Sequence, residues 1–419
     1  MQNGHLSQYF QSVVAKVLRT VEVYGTKSNQ HEFNGTKELK NVLFETERVD
    51  FGCKLLWMND ENDPITADTV VTWYDAREAS PDRSEYRLYC PDNVVMKNAH
   101  VGDVMFLARK TDNTLLIIIS PSDSSVVSQL YWLFNLTPPQ GNLFSFSELN
   151  IKDKAIDFSA RFIMEAIGIE LKESEHEKLD ELIAKYNGEF PSVTEFSELA
   201  RRSLPVKIDV IEDPDNALIE LMTWEEMLFR RLEKHKIAAR LREGFLNGDE
   251  PDVEAFIGFS LSVLNRRKAR AGSAFEEHVQ YILKQQGISY SKGQITEDKA
   301  KPDFLFPHVK LYHNPLVPAE LLTMLGVKTS LKDRWRQVLA EAARISAKHL
   351  LTMQPGISDH QLNQMKAHQV QLVLPRGIHK TYNPKQHEWL MSFHEFIGIV
   401  REKQQLIASG FKIPDFQMS

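Results

Sequence analysis

The spacing of apolar positions changes its rhythm twice along the chain. Residues 1–20 (MQNGHLSQYFQSVVAKVLRT) read as a short amphipathic helix. From about 20 to 148 the text breaks into short apolar or alternating runs: VLRTVEVYG, NVLF, CKLLWM, DTVVTWY, YRLYC, DVMFLAR and TLLIIIS. Asn34-Gly35, Asn62-Asp63-Pro64 and Ser80-Pro81 punctuate them as turns, which predicts a mainly β unit. A closed or half-closed barrel would remove its exposed edges. Residues 151–257 take a helical period and turn acidic. A helix over 173–188 presents Leu179, Leu182 and Ile183 and stops at Asn187-Gly188, Ser192 and Glu195 have capping-box spacing, and a long helix follows over 216–245. Beyond 259 helices alternate with short strands. A capped helix over 271–287 precedes ISYSKGQI, DFLF, MLGVKTS, HLLTM and QVQLVLP, with helices at 331–348 and 359–367 between the later strands and another at 386–404. That order describes an α/β core with a mixed sheet.

Three units follow from this reading: a mainly β domain over 1–148, an acidic helical connector over 149–188, and an α/β domain over 189–419. No apolar run reaches the ~18 residues of a membrane span. The first residues lack a basic segment leading into an apolar one, so a soluble protein of the cell interior is expected. Cys53 and Cys90 form no C-x-x-C pattern and are expected as reduced structural thiols. No Walker-type phosphate loop is present, which speaks against ATP-driven translocation, and no HNH-like histidine cluster stands out.

Charge alters the picture. The net charge is −7, yet residues 265–350 hold 15 Lys/Arg against 8 Asp/Glu, leaving the remainder strongly acidic. A solvated face would account for this, and so would a footprint that neutralises phosphates. Within that stretch Asp303 opens an apolar strand and Lys328 lies inside the next, so an unpaired ammonium there would be costly and Asp303 is its natural partner. On the helix expected after Lys328, Trp335, Val338, Leu339, Ala342 and Ile345 define the buried face, and Glu341 falls at its edge. Glu341 would pair with Arg344 on the surface or lean toward Asp303 and Lys328. Two carboxylates and a lysine suffice for Mg²⁺-assisted phosphodiester hydrolysis. Lys332, Asp333, Arg334 and Arg336 make a charged first helical turn or a base-reading one, in which Arg334 meets guanine and Asp333 meets cytosine. Arg77, Arg83 and Arg87, set among Trp73, Tyr74, Tyr86 and Tyr89, are exposed strand positions or a DNA-contacting loop.

Taken together, Lys301-Pro302-Asp303-Phe304-Leu305-Phe306-Pro307, the run from Val327-Lys328 through KDRWRQ, Glu341, and the preceding NRRKARAG at 265–272 resemble the catalytic domain of the EcoRII family of type II restriction endonucleases. The resemblance is strong over roughly 244–385. It implies a restriction-endonuclease-like (PD-(D/E)xK) core whose second acidic residue sits on the following helix. Asp303 and Glu341 would be Mg²⁺ ligands, Lys328 the catalytic lysine and Tyr312 a neighbouring active-site residue. Lys332, Asp333 and Arg334 would read a CC…GG-type site (CCNGG- or CCWGG-like), with Arg266, Arg267, Lys268, Arg270 and Arg336 at the DNA backbone. Glu276 matches an acidic residue of the family's first core helix and is also the capping-box partner of Ser273. A homodimer on double-stranded DNA and a cognate DNA methyltransferase are implied as partners. More weakly, the turn at 29–35, WYDAR and RSEYRLY resemble the family's effector-binding pseudobarrel, which engages a second DNA copy. Relatives handle extruded central bases with an arginine and, four residues on, an aromatic, where this chain offers Met222 and Glu226. Trp224 would stack on such a base or belong to the core. A nuclease that senses modified DNA and a catalytically silent DNA-binding regulator remain alternatives.

Overall fold

The computed structural model of the chain describes residues 5–23, 30–44, 47–79, 83–138, 145–148, 156–171, 177–184, 186 and 190–410. Two sheets organise it. The first is built from β1 (Phe10–Val17), β2 (Gln30–Asn34), β3 (Val49–Trp57), β4 (Ile65–Asp75), β5 (Tyr86–Pro91), β6 (Val104–Lys110), β7 (Leu115–Ser120) and β8 (Ser145–Glu148). Their order in the sheet is β2-β5-β4-β3-β7-β6-β1-β8. Neighbours are antiparallel except for the parallel pair β3 and β7. The sheet is curled but open, since no ladder joins β2 to β8 among the described residues.

Alternation sorts β7 between two cores. Leu116 and Ile118 pack with Phe10, Val13 and the helices Ser125–Phe134 and Phe158–Ala166, while Leu115, Ile117 and Ile119 pack with Val14, Trp73 and Leu88. Burial on both faces also explains β1, which replaces the helix expected over 1–20. Its SVVAK run is buried throughout, so no polar face shows the period of two. The turn expected at 29–35 is mostly strand, with Asn29 outside the described residues. Gly35 follows that strand because a Cβ there would stand 2.6 Å from the Tyr86 carbonyl. Cys53 and Cys90 are buried and unbridged.

In the connector, the described helix is Glu177–Ala184, where Ile183 is buried, and the stop expected at Asn187-Gly188 lies outside the described residues. Ser192 caps the helix Val193–Ser203, its Oγ accepting from Glu195 N at 3.2 Å. Two long helices follow, Pro214–Glu243 and Val253–Gln285, joined through the short hairpin of β9 (Leu246–Asn247) and β10 (Glu250–Pro251). The expected start at 271 is thereby corrected. Good helix formers surround Gly272, and one interior glycine costs only about 1 kcal/mol, so the helix runs through and Ser273 is no cap.

The second sheet has the order β11 (Ser291–Lys292), β12 (Phe304–Phe306), β13 (Thr323–Lys328), β14 (Lys348–Thr352) and β15 (Val370–Val373). It is mixed: β11, β12 and β13 pair antiparallel, and β13, β14 and β15 pair parallel. Its core includes Phe275, Phe304, Met324, Leu350, Leu372 and Phe396. The final helix is Phe393–Gly410, later than the expected 386–404, because Pro384–Trp389 forms separate 3₁₀ turns. No helix among the described residues is long and apolar enough to cross a membrane.

The helix expected over 331–348 is the largest departure. Lys332–Ala340 is a 3₁₀ segment, Glu341 is extended (φ −87°, ψ 143°), and Ala342 has φ +49°. Leu331 precedes the segment without a side-chain cap.

Candidate active site

β12 and β13 run antiparallel with Phe304 opposite Leu325, so the residue before one strand lies beside the end of the other. Asp303 and Lys328 occupy those places. The Lys328 ammonium donates to Asp303 Oδ2 at 2.7 Å, and the Val327 amide donates to the same oxygen at 2.6 Å. Both side chains are mostly buried, which makes the pair a charge-assisted bond at the rim of the core.

Winding brings Glu341 to this pair. At three residues per turn, Trp335, Val338 and Glu341 fall on one side of the 3₁₀ segment, whereas α-helical winding would carry Glu341 off that face. Trp335 and Val338 are buried, and Val338 sits against Gly326 of β13. A Cβ on Gly326 would stand 2.8 Å from Val338 Cγ2, so only glycine lets the segment lie this close to the sheet. Oε2 of Glu341 is buried without a hydrogen-bond partner. Burial first, and then the Asp303 carboxylate, push Glu341 up to about 7 against the opposing pull of Lys328 and Lys348.

Glu276 projects from the Val253–Gln285 helix into the same field. Burial and Asp303 raise its pKa, while Lys292 and Lys328 oppose the rise. Lys292 lies 3.4 Å from Glu276 and 3.2 Å from Glu277. Its strand has only two residues and offers no periodicity, so Lys292 escaped sequence reading. Tyr312 is buried, and its hydroxyl donates to Glu297 at 2.5 Å and accepts from the Arg344 amide at 3.2 Å.

The donor set suits a hard divalent cation. A buried carboxylate oxygen without a donor, beside a second carboxylate, is costly alone and satisfied by a cation. Among the described residues no three or more His, Cys, Asp or Glu side chains form a ready cage. Two carboxylates are nevertheless the protein share Mg²⁺ commonly takes, with waters and phosphate completing its shell.

Residues 229–397 match the family model described as EcoRII C terminal. That span resembles an EcoRII C-terminal domain. It contains Glu276, Asp303, Tyr312, Lys328 and Glu341. The chain is also 40% identical over 210 residues to the type II restriction enzyme EcoRII of Escherichia coli, covering 50% of this chain and 50% of that protein. It thus spans about half the length of the curated relative it matches. Among solved structures it resembles metal-depleted Ecl18kI in complex with uncleaved DNA (18% identity, 58% of this chain, 87% of that chain, TM-score 0.45). Another is a restriction endonuclease PspGI–substrate DNA complex (18%, 55%, 92%, TM-score 0.39). At these scores neither adds to the assignment.

Around this core, the basic residues divide by burial. Arg334 and Arg336 are exposed, Arg336 donating to Gln364 at 3.1 Å, and the side chains of Lys332 and Asp333 lie outside the described residues. Lys268 is exposed, and Arg266 stacks over the Phe190 ring. Arg267 pairs with the buried Glu233 at 2.6 Å. Arg270 corrects the expectation of a backbone contact: it is buried, donates to the Pro191 carbonyl and lies over Phe196, because the continuous helix turns it toward the neighbouring helices. Trp224 is likewise interior, its Nε1 donating to Ser203 Oγ at 3.0 Å, and Met222 is buried. Glu226 pairs with Arg230. In the first sheet, Arg77 and Arg87 both bind Glu85, Arg87 also binds Glu32, and Arg83 is exposed.

Proposed function

We propose that this chain is a type II restriction endonuclease that makes Mg²⁺-dependent double-strand breaks at a short palindromic site flanked by CC and GG. The observation that carries the reading is the Asp303–Lys328 ion pair with Glu341, one of whose carboxylate oxygens is buried without a hydrogen-bond partner, in its field. The EcoRII C-terminal match and the 40% identity to EcoRII support it.

Asp303 and Glu341 would hold the ion, which when bound supplies Lewis acidity and charge neutralisation to the phosphodiester. Asp303 fixes the Lys328 ammonium, whose remaining protons are free to hold an attacking water or the charge that develops on the phosphate. Tyr312 would border the site from below, its hydroxyl committed to Glu297. Lys332, Asp333 and Arg334 would read base edges, with Arg336 and Lys268 near the backbone. Two copies of the chain, each cutting one strand, would act on double-stranded DNA, and a cognate methyltransferase would protect the same site. The division into 1–148, 149–188 and 189–419 belongs to this reading, with the first unit binding a second DNA site as effector or autoinhibitor.

The test is Lys328→Ala on unmethylated plasmid DNA in Mg²⁺. Cleavage should be lost while DNA binding persists. A variant that cuts at the wild-type rate ends this assignment.

A further inference from the structure

Three successive backbone amides after Glu341 are each met by a side-chain oxygen from outside the segment. Ala342 N donates to Thr296 Oγ1 at 3.3 Å, Ala343 N to Glu297 Oε2 at 3.2 Å, and Arg344 N to the Tyr312 hydroxyl at 3.2 Å. The Tyr312 hydroxyl in turn donates to the same Glu297 oxygen at 2.5 Å. Burial and then Glu297 raise the Tyr312 pKa, so the phenol keeps the proton it donates. On the carbonyl side, the Lys348 ammonium binds the carbonyls of Glu341, Ala342 and Ile345, and the Arg344 guanidinium binds those of Tyr312, Asn314 and Val317.

The backbone's own bonds here run from Glu341 N to the Val338 carbonyl at 3.2 Å and from Ile345 N to the Ala342 carbonyl at 2.9 Å, and the three amides between them are the ones met by the bracket. Ala342 is left-handed at φ +49°, a conformation that L residues rarely adopt, and its methyl is fully buried. The direction of the Glu341 side chain depends on that residue staying where it is.

We propose that Glu297, through the Ala343 amide and the Tyr312 hydroxyl that holds the Arg344 amide, is a positioning residue that aims the Glu341 carboxylate at Asp303. The proposal rests on Glu341 being a metal ligand. Glu297 touches neither the ion nor DNA in this scheme. Its carboxylate is the common acceptor that holds the Tyr312 hydroxyl and the Ala343 amide in one arrangement.

The experiment uses the full chain with Glu297→Ala, Glu297→Gln and Glu341→Gln, and Mn²⁺ as the probe. Hydrogen exchange across 338–347 is measured without metal, Mn²⁺ affinity by titration, and DNA affinity in EDTA. For Glu297→Ala we expect faster exchange at 342–344, Mn²⁺ affinity weakened roughly tenfold or more, and DNA affinity and melting temperature near wild type. Glu297→Gln, which keeps one acceptor, should fall between. Wild-type exchange and wild-type Mn²⁺ affinity in Glu297→Ala overturn the proposal, as does a loss of Mn²⁺ affinity that merely tracks a fall in melting temperature. If Glu297→Ala does not fold, Tyr312→Phe removes a single hydroxyl of the same bracket and is judged by the same outcomes. Unchanged Mn²⁺ affinity in Glu341→Gln instead defeats the metal-ligand reading, and the exchange measurement then still decides whether the bracket exists.

Discussion

A buried carboxylate oxygen with no donor is a cost that the metal-free protein carries at Glu341. Glu341→Gln keeps the shape and removes the charge, and the pKa near 7 means that wild type is substantially ionised at pH 8. The variant should therefore melt higher than wild type at pH 8 without metal, by on the order of 1 kcal/mol or more, while cleaving no DNA. At pH 5, where the carboxyl is protonated, the two should converge. Arg334 poses a different question. Exposed at the start of the 3₁₀ segment, it should contribute about 1–3 kcal/mol of discrimination if it binds a guanine. Cleavage of cognate and single-mismatch duplexes by Arg334→Ala would measure this as a narrowed rate ratio.

Among the elements, β13 and the 3₁₀ segment depend on one missing side chain. Gly326→Ala would drive a methyl into Val338, and overpacking of this kind costs typically 1–3 kcal/mol. Thermal denaturation should show that loss, cleavage should fall with it because Glu341 follows Val338, and Val338→Ala in the same chain should restore part of both. The same pair of elements marks what the sequence made legible. Asp303 and Lys328 were readable because an isolated charge in each of two apolar strands needs a partner, and antiparallel pairing supplies it. The burial of Trp335 and Val338 was also readable, since a spacing of three suits an α-helix and a 3₁₀ segment alike, while Ala342 and Ile345 are buried beyond the segment's end. The winding itself was not, because it is imposed by Gly326 and by anchors at Thr296, Glu297 and Tyr312, all distant in sequence. Strand β1 was misread for a related reason: burial on both faces erases alternation.

In the whole molecule, the β-rich half meets the α/β half through polar contacts such as Lys380–Asp157 at 2.8 Å, Arg230–Glu165 at 3.2 Å and Gln129 to the Gly356 carbonyl. The buried His349 on β14 sets an acid limit for the α/β half. Burial first, and then the nearby Lys403, lower its pKa from 6.5 to about 4. The unfolded chain therefore binds a proton between these values that the folded chain refuses. Stability is full above about 6.5 and falls as the pH drops toward 4, by at most about 3 kcal/mol. Denaturant titrations at pH 7 and pH 4.5 should show this slope, and His349→Phe should flatten it.

The nine-residue 3₁₀ segment has one mechanical consequence. At about 2.0 Å per residue it is stretched relative to the ~1.5 Å of an α-helix, so rewinding all of it would draw its ends together by about 4–5 Å. Arg334 stands near one end and Glu341 at the other. Rewinding of the whole stretch would therefore shift Glu341 relative to Arg334 by more than a bond length, so the pitch of this short coil sets the distance between the two.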